Sequence, residues 1–363
     1  MPSGAKAAAG RRSVGGRALG VTVLGAIFAI LSAASFALNN AAARRAVVTG
    51  TPTQGMALTV PIGVLAFLLV AALTGELTRL AAFPQSAIAW MTAVGLLHFL
   101  FGRYCNYRAN QHAGANLTGP VIQLQVLVTL ALAVVVLHEP CTALQVIGGT
   151  VMLAGSFITQ SQRLSAPTAA KAAKAKSPLA TEAHVPPAPK FVPRYAEGYL
   201  FALLAAFAYG TTPIMVRTAL RHAGPSSAIL GGVISYGAAT AAIVLMLVFW
   251  TPLRRNVMDL KRDNIPWFVY SGVFVAMAQG FLYSAVAVAP IMFVMPLMQL
   301  ALVFRIIFAM WLNPEHEVFG WKVIAGSAIS ILGACTVSID TDVILHTLGV
   351  EGALAGLLRW QIQ

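Results

Sequence analysis

RYCNYRANQHAGANLTGPVIQ, residues 103–123, and QGFLYSAVAVAPIMFVMPLMQ, residues 279–299, are one segment written twice. Setting Gln279 against Arg103 brings Tyr283 onto Tyr107, Ala285 onto Ala109, Pro296 onto Pro120 and Gln299 onto Gln123 without a gap. Alanines and leucines coincide by chance in any pair of apolar helices, so the tyrosine, proline and glutamine matches carry the comparison. The match extends both ways. Upstream, setting Gly198 against Gly25 aligns Phe28 with Phe201, Arg44 with Arg217 and Pro52 with Pro225. Downstream, His138-Glu139 falls on His316-Glu317, Gly148 on Gly326 and Gly155 on Gly333. The register drifts slightly between these blocks, as short loop insertions would cause.

The repeated unit is too apolar for water. The chain has 363 residues, 58% hydrophobic and 10% charged, with a mean hydropathy of +0.78. A soluble domain carries about 25% charged residues. Lipid must therefore cover much of this surface. Ten stretches are long and apolar enough to span, or nearly so: Ala18–Leu38, Met56–Thr74, Ala87–Tyr107, Ala115–Leu137, Ala143–Thr159, Gly198–Met215, Ala228–Phe249, Pro266–Val288, Ile291–Leu312 and Val318–Ile339. Breakers such as Thr51-Pro52, Phe83-Pro84 and Asn313-Pro314 sit between them. The fold expected is an all-α integral membrane protein of ten transmembrane helices. A basic tail (1–17) precedes a first five-helix repeat (18–160). A linker (161–197) rich in Ala, Pro and Lys leads to the second repeat (198–340) and a tail (341–363). Five is odd, so the second copy enters the membrane the opposite way. The repeats are then related by a pseudo-two-fold axis in the membrane plane, the symmetry that lets a site open to either side in turn.

Several function classes fall away. The net charge is +13, but the basic residues form short clusters between apolar runs, such as Arg11/Arg12/Arg17 and Arg254/Arg255/Lys261/Arg262. That is a loop pattern of membrane proteins and not a nucleic-acid face. Cys105, Cys141 and Cys335 lie in or beside apolar runs without CxxC spacing, which suits small buried hydrophobes better than metal or redox chemistry. Arg11-Arg12 followed by an apolar run and Ala34-Ser35-Phe36-Ala37 imitates an export signal. The residues beyond it match Gly198–Arg217, so Ala18–Leu38 is expected to stay as the first span. His138-Glu139 and His316-Glu317 begin an HExxH motif, but Thr142 and Gly320 stand where the second histidine belongs. Both glutamates are expected to serve at helix junctions. Gly326, Ser330 and Ala334 form a small face that permits close helix packing.

The chain resembles the drug/metabolite transporter superfamily in its ten-helix EamA-like branch. The resemblance rests on Ala109-Asn110-Gln111-His112-Ala113-Gly114-Ala115 between the third and fourth helices and on Pro120. It rests also on Leu137-His138-Glu139 with Gly148 and Gly155, repeated at Glu317, Gly326 and Gly333. It covers nearly everything but the linker and tails. Where the family glutamate usually follows glycine, this chain has histidine in both halves. The resemblance implies a secondary transporter, often an exporter of amino acids or other metabolites, with no bound cofactor and no enzyme activity. It implies a place in a bacterial cytoplasmic membrane with both termini in the cytoplasm. The positive-inside count favours the reverse, since the linker and the 254–262 loop together hold ten Lys/Arg.

Polar groups inside spans are costly and mark function. Arg103, Asn106, Tyr107 and Asn110 share one face of the third helix. Gln279 and Tyr283 take the matching places on the eighth. Arg305 lies within the ninth span, Gln123 and Gln299 add amides, and Tyr209 marks the end of the sixth. The candidate substrate site is Arg103, Tyr107, Gln123, Tyr209, Gln279, Tyr283, Gln299 and Arg305. The competing account is that an arginine near a helix end reaches to the headgroups. Glu76, Glu139, Glu315, Glu317, Asp340 and Asp342 all fall at span ends or in loops. A buried guanidinium without a carboxylate argues for an anionic or amino-acid-like solute. No metal or cofactor site is expected, the partners are a small solute and the bilayer, and no segment signals an oligomeric state. An integral-membrane enzyme or accessory protein acting on a lipid-linked substrate is the alternative. It would need acids or histidines gathered at one membrane face, and His98, His112 and His138 are scattered.

Overall fold

In a computed structural model the described residues are 3–46, 50–113, 121–165, 194–223, 227–312 and 321–362. Among them the chain is helical, apart from turns and one two-residue strand pairing. The helices are α1 (Ser3–Ala46), α2 (Pro52–Leu73), α3 (Gln85–Val94), α4 (Arg103–Ala113), α5 (Gln125–Leu137), α6 (Ala143–Ser165) and α7 (Tyr195–Ala223). They continue as α8 (Ala228–Phe249), α9 (Thr251–Met258), α10 (Ile265–Val288), α11 (Ile291–Leu297), α12 (Ala301–Leu312), α13 (Trp321–Ser338), α14 (Thr341–Thr347) and α15 (Ala353–Arg359). Six segments are long and apolar enough to cross a membrane: Val23–Ala43, Pro52–Leu73, Gln85–Asn106, Tyr195–Arg221, Ala228–Phe249 and Arg262–Val288. Counting the sharply bent pair Ile324–Val337 and Thr341–Thr347 as one span makes seven. Gln125–Leu137, Ala143–Gly155 and Ile291–Leu300 are shorter apolar helices.

One breaker read from sequence works as a cap. Thr51 accepts from the Gln54 amide and its own N–H donates to the Gln54 side chain, a capping box with Pro52 in the first turn. Helix ends differ from expectation where polarity alone suggested a stop. α6 runs to Ser165, into the expected linker, because Gln and Arg are good helix formers. Residues 166–193 lie outside the described residues, as do Pro120, His316 and Glu317. The expected ninth span is two helices, α11 and α12, joined by the 3₁₀ turn Met298–Leu300.

α7 and α10 form the centre. Of their most apolar windows 56% is buried, against 28–33% for the other long spans. The packing repeats itself when the halves are exchanged. α1 lies along α10 as α7 lies along α3 and α4; α2 packs on α10 as α8 packs on α3; α12 packs on α1 as α5 packs on α7. α6 packs on α13, the partner in the other half. There the spacing is set by glycine. A Cβ on Gly155 would lie 2.3 Å from the Ser330 nitrogen and 2.5 Å from the Gly326 carbonyl oxygen. A Cβ on Gly333 would lie 2.3 Å from the Met152 nitrogen and 2.5 Å from the Gly148 carbonyl oxygen. The small-residue face of α13 is thus filled from within the chain.

α1 is part of this core. Ala29, Ala33 and Ala37 are fully buried, and Ser32 donates to the Ala278 carbonyl of α10 at 2.6 Å. The C-terminal tail is α14 and α15 followed by Gln361–Ile362. That strand pairs antiparallel with Cys141–Thr142. The tail thereby closes on the α5–α6 junction, where Thr142 and Thr341 hydroxyls meet at 2.7 Å. Leu348, Leu354, Leu357 and Trp360 stay exposed on it.

Candidate functional site

The polar centre is built on a defect. Between α3 and α4 the chain makes a π-helical turn, Gly95–Gly102, in which the Arg103 N–H reaches back five residues to the His98 carbonyl. Such turns add a residue to the helix and re-aim side chains. A glycine at each end lets neighbours approach. A Cβ on Gly95 would lie 2.2 Å from the Ser235 carbonyl oxygen of α8, and one on Gly102 would lie 2.8 Å from the Tyr209 ring of α7.

His98 is the hub of that turn. Its Nδ1 lies 3.2 Å from the Thr212 hydroxyl on α7, and its Nε2 lies 3.0 Å from the Gln279 amide nitrogen on α10. The Tyr209 ring sits 4.8 Å from it. The other Gln279 amide atom, Oε1, is buried without a partner. Arg103 donates to the Thr59 hydroxyl of α2 at 3.0 Å, and its guanidinium lies 5.6 Å from the Phe99 ring centroid. Among the described residues no carboxylate pairs with it. An aromatic wall backs the charge: Phe99 against Tyr236 at 4.0 Å, Tyr236 against Phe67 at 5.4 Å, and Phe67 against Tyr283 at 6.4 Å. Gln279, Tyr236 and Tyr283 are buried, whereas His98, Arg103 and Tyr209 keep part of their surface uncovered.

A family model matches this chain over residues 23–160 and again over 196–339, and its description is the EamA-like transporter family. The chain belongs to the EamA-like transporter family. It is therefore an integral membrane protein of a family that moves small solutes. A search of curated proteins finds no match. Among solved structures, one described as "Crystal structure of protein" superposes with a TM-score of 0.65 at 16% identity, covering 91% of this chain and 98% of that chain. At that identity the likeness speaks for the fold alone.

Within this EamA-like fold the eight sequence candidates separate into three groups. Arg103, Tyr209, Gln279 and Tyr283 belong to the centre just described. Gln123 and Gln299 pair with each other, Nε2 to Oε1 at 2.9 Å. The side chains of Tyr107 on α4 and Arg305 on α12 lie outside the described residues. Sequence reasoning missed His98, Thr212 and Thr59. His98 carried a signal, a titratable ring in mid-span, five residues before Arg103.

A second polar cluster lies at the break between α10 and α11. Both oxygens of Glu139, which follows α5, accept backbone amides that begin α11: Ile291 at 3.1 Å and Met292 at 3.0 Å. Arg217 of α7 donates through Nη1 to the carbonyls that end α10, Val286 and, at 2.9 Å, Ala289. An anion thus meets a helix start and a cation a helix end, as the helix dipoles favour. Glu139 serves a helix junction, and His138 before it takes the left-handed backbone conformation (φ 54°) that ends α5. Among the described residues no three His, Cys, Asp or Glu side chains gather as a metal would need.

Proposed function

We propose that this chain is a secondary transporter that carries a small organic anion, bearing a carboxylate or a phosphate, by alternating access, with Arg103 as its binding cation. The observation that carries the reading is the state of Arg103. A guanidinium inside a span costs at least about 2.5–3.5 kcal/mol when nothing answers its charge. Here a hydroxyl and a ring face touch it, and no described carboxylate pairs with it. An arriving anion supplies the missing charge, and a bidentate pair with carboxylate or phosphate is what guanidinium geometry favours. Tyr209, Gln279 and Tyr283 surround the same centre and supply orientation. Amino acids and other metabolites with a free carboxylate fit this chemistry.

The alternating-access part rests on symmetry. Gln123 bonds Gln299, its own repeat mate. A residue that touches its mate sits on the axis relating the halves. The exchanged packing pairs and the matched glycine contacts of α6 and α13 agree with that axis. We read the long helices together with α5, α6, α11–α12 and α13 as ten spans in two inverted units, 18–160 and 198–340, joined by 161–197. Export from a bacterial cytoplasm is the direction the family suggests.

The test is uptake into proteoliposomes holding purified protein, with radiolabelled glutamate, malate, glycerol 3-phosphate and the cation choline. The reading expects at least one anion to exchange across the membrane faster than in empty liposomes, with Arg103→Gln losing that exchange while still folding. Exchange of choline alone, or wild-type rates in Arg103→Gln, overturns it.

A further inference from the structure

His98 can be assigned its proton from the bonding around it. The Thr212 hydroxyl has one hydrogen, and that hydrogen goes to the Ala208 carbonyl at 2.8 Å. At the contact between Thr212 and the His98 Nδ1 the hydrogen must therefore come from the ring. Nδ1 carries the proton, Nε2 carries a lone pair, and the Gln279 amide nitrogen donates to that lone pair. The ring is neutral, and Gln279 Oε1 is left buried without a donor.

Turning the Gln279 amide by half a revolution reverses the roles. Oε1 then faces His98 Nε2, a contact that forms a hydrogen bond only if Nε2 holds a proton. While Thr212 keeps its hydrogen on the Ala208 carbonyl, Nδ1 stays protonated, so the two amide orientations correspond to the neutral ring and the imidazolium. The turn also replaces the lone acceptor now buried in the centre with an NH₂ donor. In the first state the centre offers an unpaired acceptor, which repels an anion. In the second it offers a cation and a donor, which attract one.

We infer that His98 takes up one proton together with each anionic solute, and that Gln279, by turning its amide, couples the two events. The inference rests on the anion-transport reading above. The balance is simple: a neutral ring, a proton and a monoanion become an imidazolium paired with an anion, and no other reactant is needed. The groups around His98 tie its proton to the anion. Its own helix presents Arg103, whose positive charge opposes an imidazolium beside it until an anion stands between them. α7 presents Tyr209 and Thr212, α10 presents Gln279 and Tyr283, and α8, packed on the same π turn, presents Tyr236 against Phe99. Among the described residues no carboxylate faces it.

The experiment uses the full chain in proteoliposomes loaded with a pH-sensitive dye, with glutamate, malate and glycerol 3-phosphate as probes. Wild-type protein should acidify the lumen as a transported anion enters, and an imposed pH gradient should drive that anion uphill. His98→Gln should lose both, with a melting temperature in detergent close to that of the wild type serving as the check that it folds. Gln279→Leu keeps the ring but withholds the acceptor that Nε2–H needs. Its transport should follow a pH profile displaced to lower pH by about one unit. A purely structural role would lower the rate without moving the profile. Anion transport with no proton movement, or His98→Gln acidifying like wild type, overturns the coupling and leaves the transport reading standing. If none of the three anions moves, both fall.

Discussion

Two clusters of polar side chains within the helix bundle, the Glu139–Arg217 junction and the His98–Arg103–Gln279 centre, draw on similar groups and finish them differently. At the junction the partners are backbone. Glu139 uses both oxygens on amides of α11, and Arg217 donates twice to carbonyls of α10. The Arg217 Nε is left over. Backbone groups at helix ends cannot turn away, so this cluster has one arrangement. At the centre the partners are side chains: Thr59 for Arg103, and Thr212 and Gln279 for His98. Each can rotate, and Gln279 already has an unused acceptor. The difference separates a polar cluster that fixes the fold from one able to change partners during a transport cycle.

The comparison is broken most severely by removing the junction anion. Glu139→Ala strands two buried amides, at about 1–3 kcal/mol each, so the protein should melt at clearly lower temperature in detergent. Transport per folded molecule should change little. A lost transport rate with an unchanged melting curve would place Glu139 in the functional cluster instead. Next comes Arg103→Gln, which should lower anion affinity about tenfold to hundredfold, as loss of a hydrogen bond to a charged group predicts. Its melting temperature should hold or rise, because a charge without a carboxylate partner inside a span is gone. Smaller is Gly102→Ala. The added methyl meets the Tyr209 ring at 2.8 Å and forces about 0.5–1.5 kcal/mol of rotamer strain, read as a modest loss of affinity. The smallest effect sharpens the symmetry. Gln123→Leu and Gln299→Leu remove the same bond from either side, so each should cost about 0.5–1.5 kcal/mol and the two should agree. Unequal melting shifts would move that pair off the axis.

Much of this was legible in the sequence, for reasons specific residues make plain. The doubled Tyr, Pro, Gln and His-Glu positions exposed the duplication because polar and breaking residues are rare in spans. Gly326, Ser330 and Ala334 marked a close-packing face on the last helix because small residues at that spacing have one common use, but that its partner is α6 was not legible. Arg103, Tyr209, Gln279 and Tyr283 were singled out because polar groups stand out in apolar helices, and the structure brings them to one centre. The π turn at Gly95–Gly102 was not legible: nothing in GLLHFLFG distinguishes it from an ordinary α-helical run, and the turn arises where α8 and α7 press on its two glycines. His98 was read as scattered because its partners, Thr212 and Gln279, come from helices far along the chain. Glu139 was placed at a junction correctly, but its targets, the amides of Ile291 and Met292, carry no side-chain signature at all. Of the expected span Ala115–Leu137 the described residues show the helix Gln125–Leu137, and residues 114–120 lie outside the described residues.

The central claim is that an anion completes the charge of Arg103, and binding alone tests it. A ligand that binds only the folded protein raises its melting temperature in proportion to the logarithm of its occupancy. Thermal unfolding of purified wild-type and Arg103→Gln protein should be followed with glutamate, malate, glycerol 3-phosphate and choline, each at equal ionic strength. The account predicts that at least one anion stabilises the wild type, that choline does not, and that the stabilisation disappears in Arg103→Gln. Equal stabilisation of both proteins by the same anion, or stabilisation by choline alone, would contradict it.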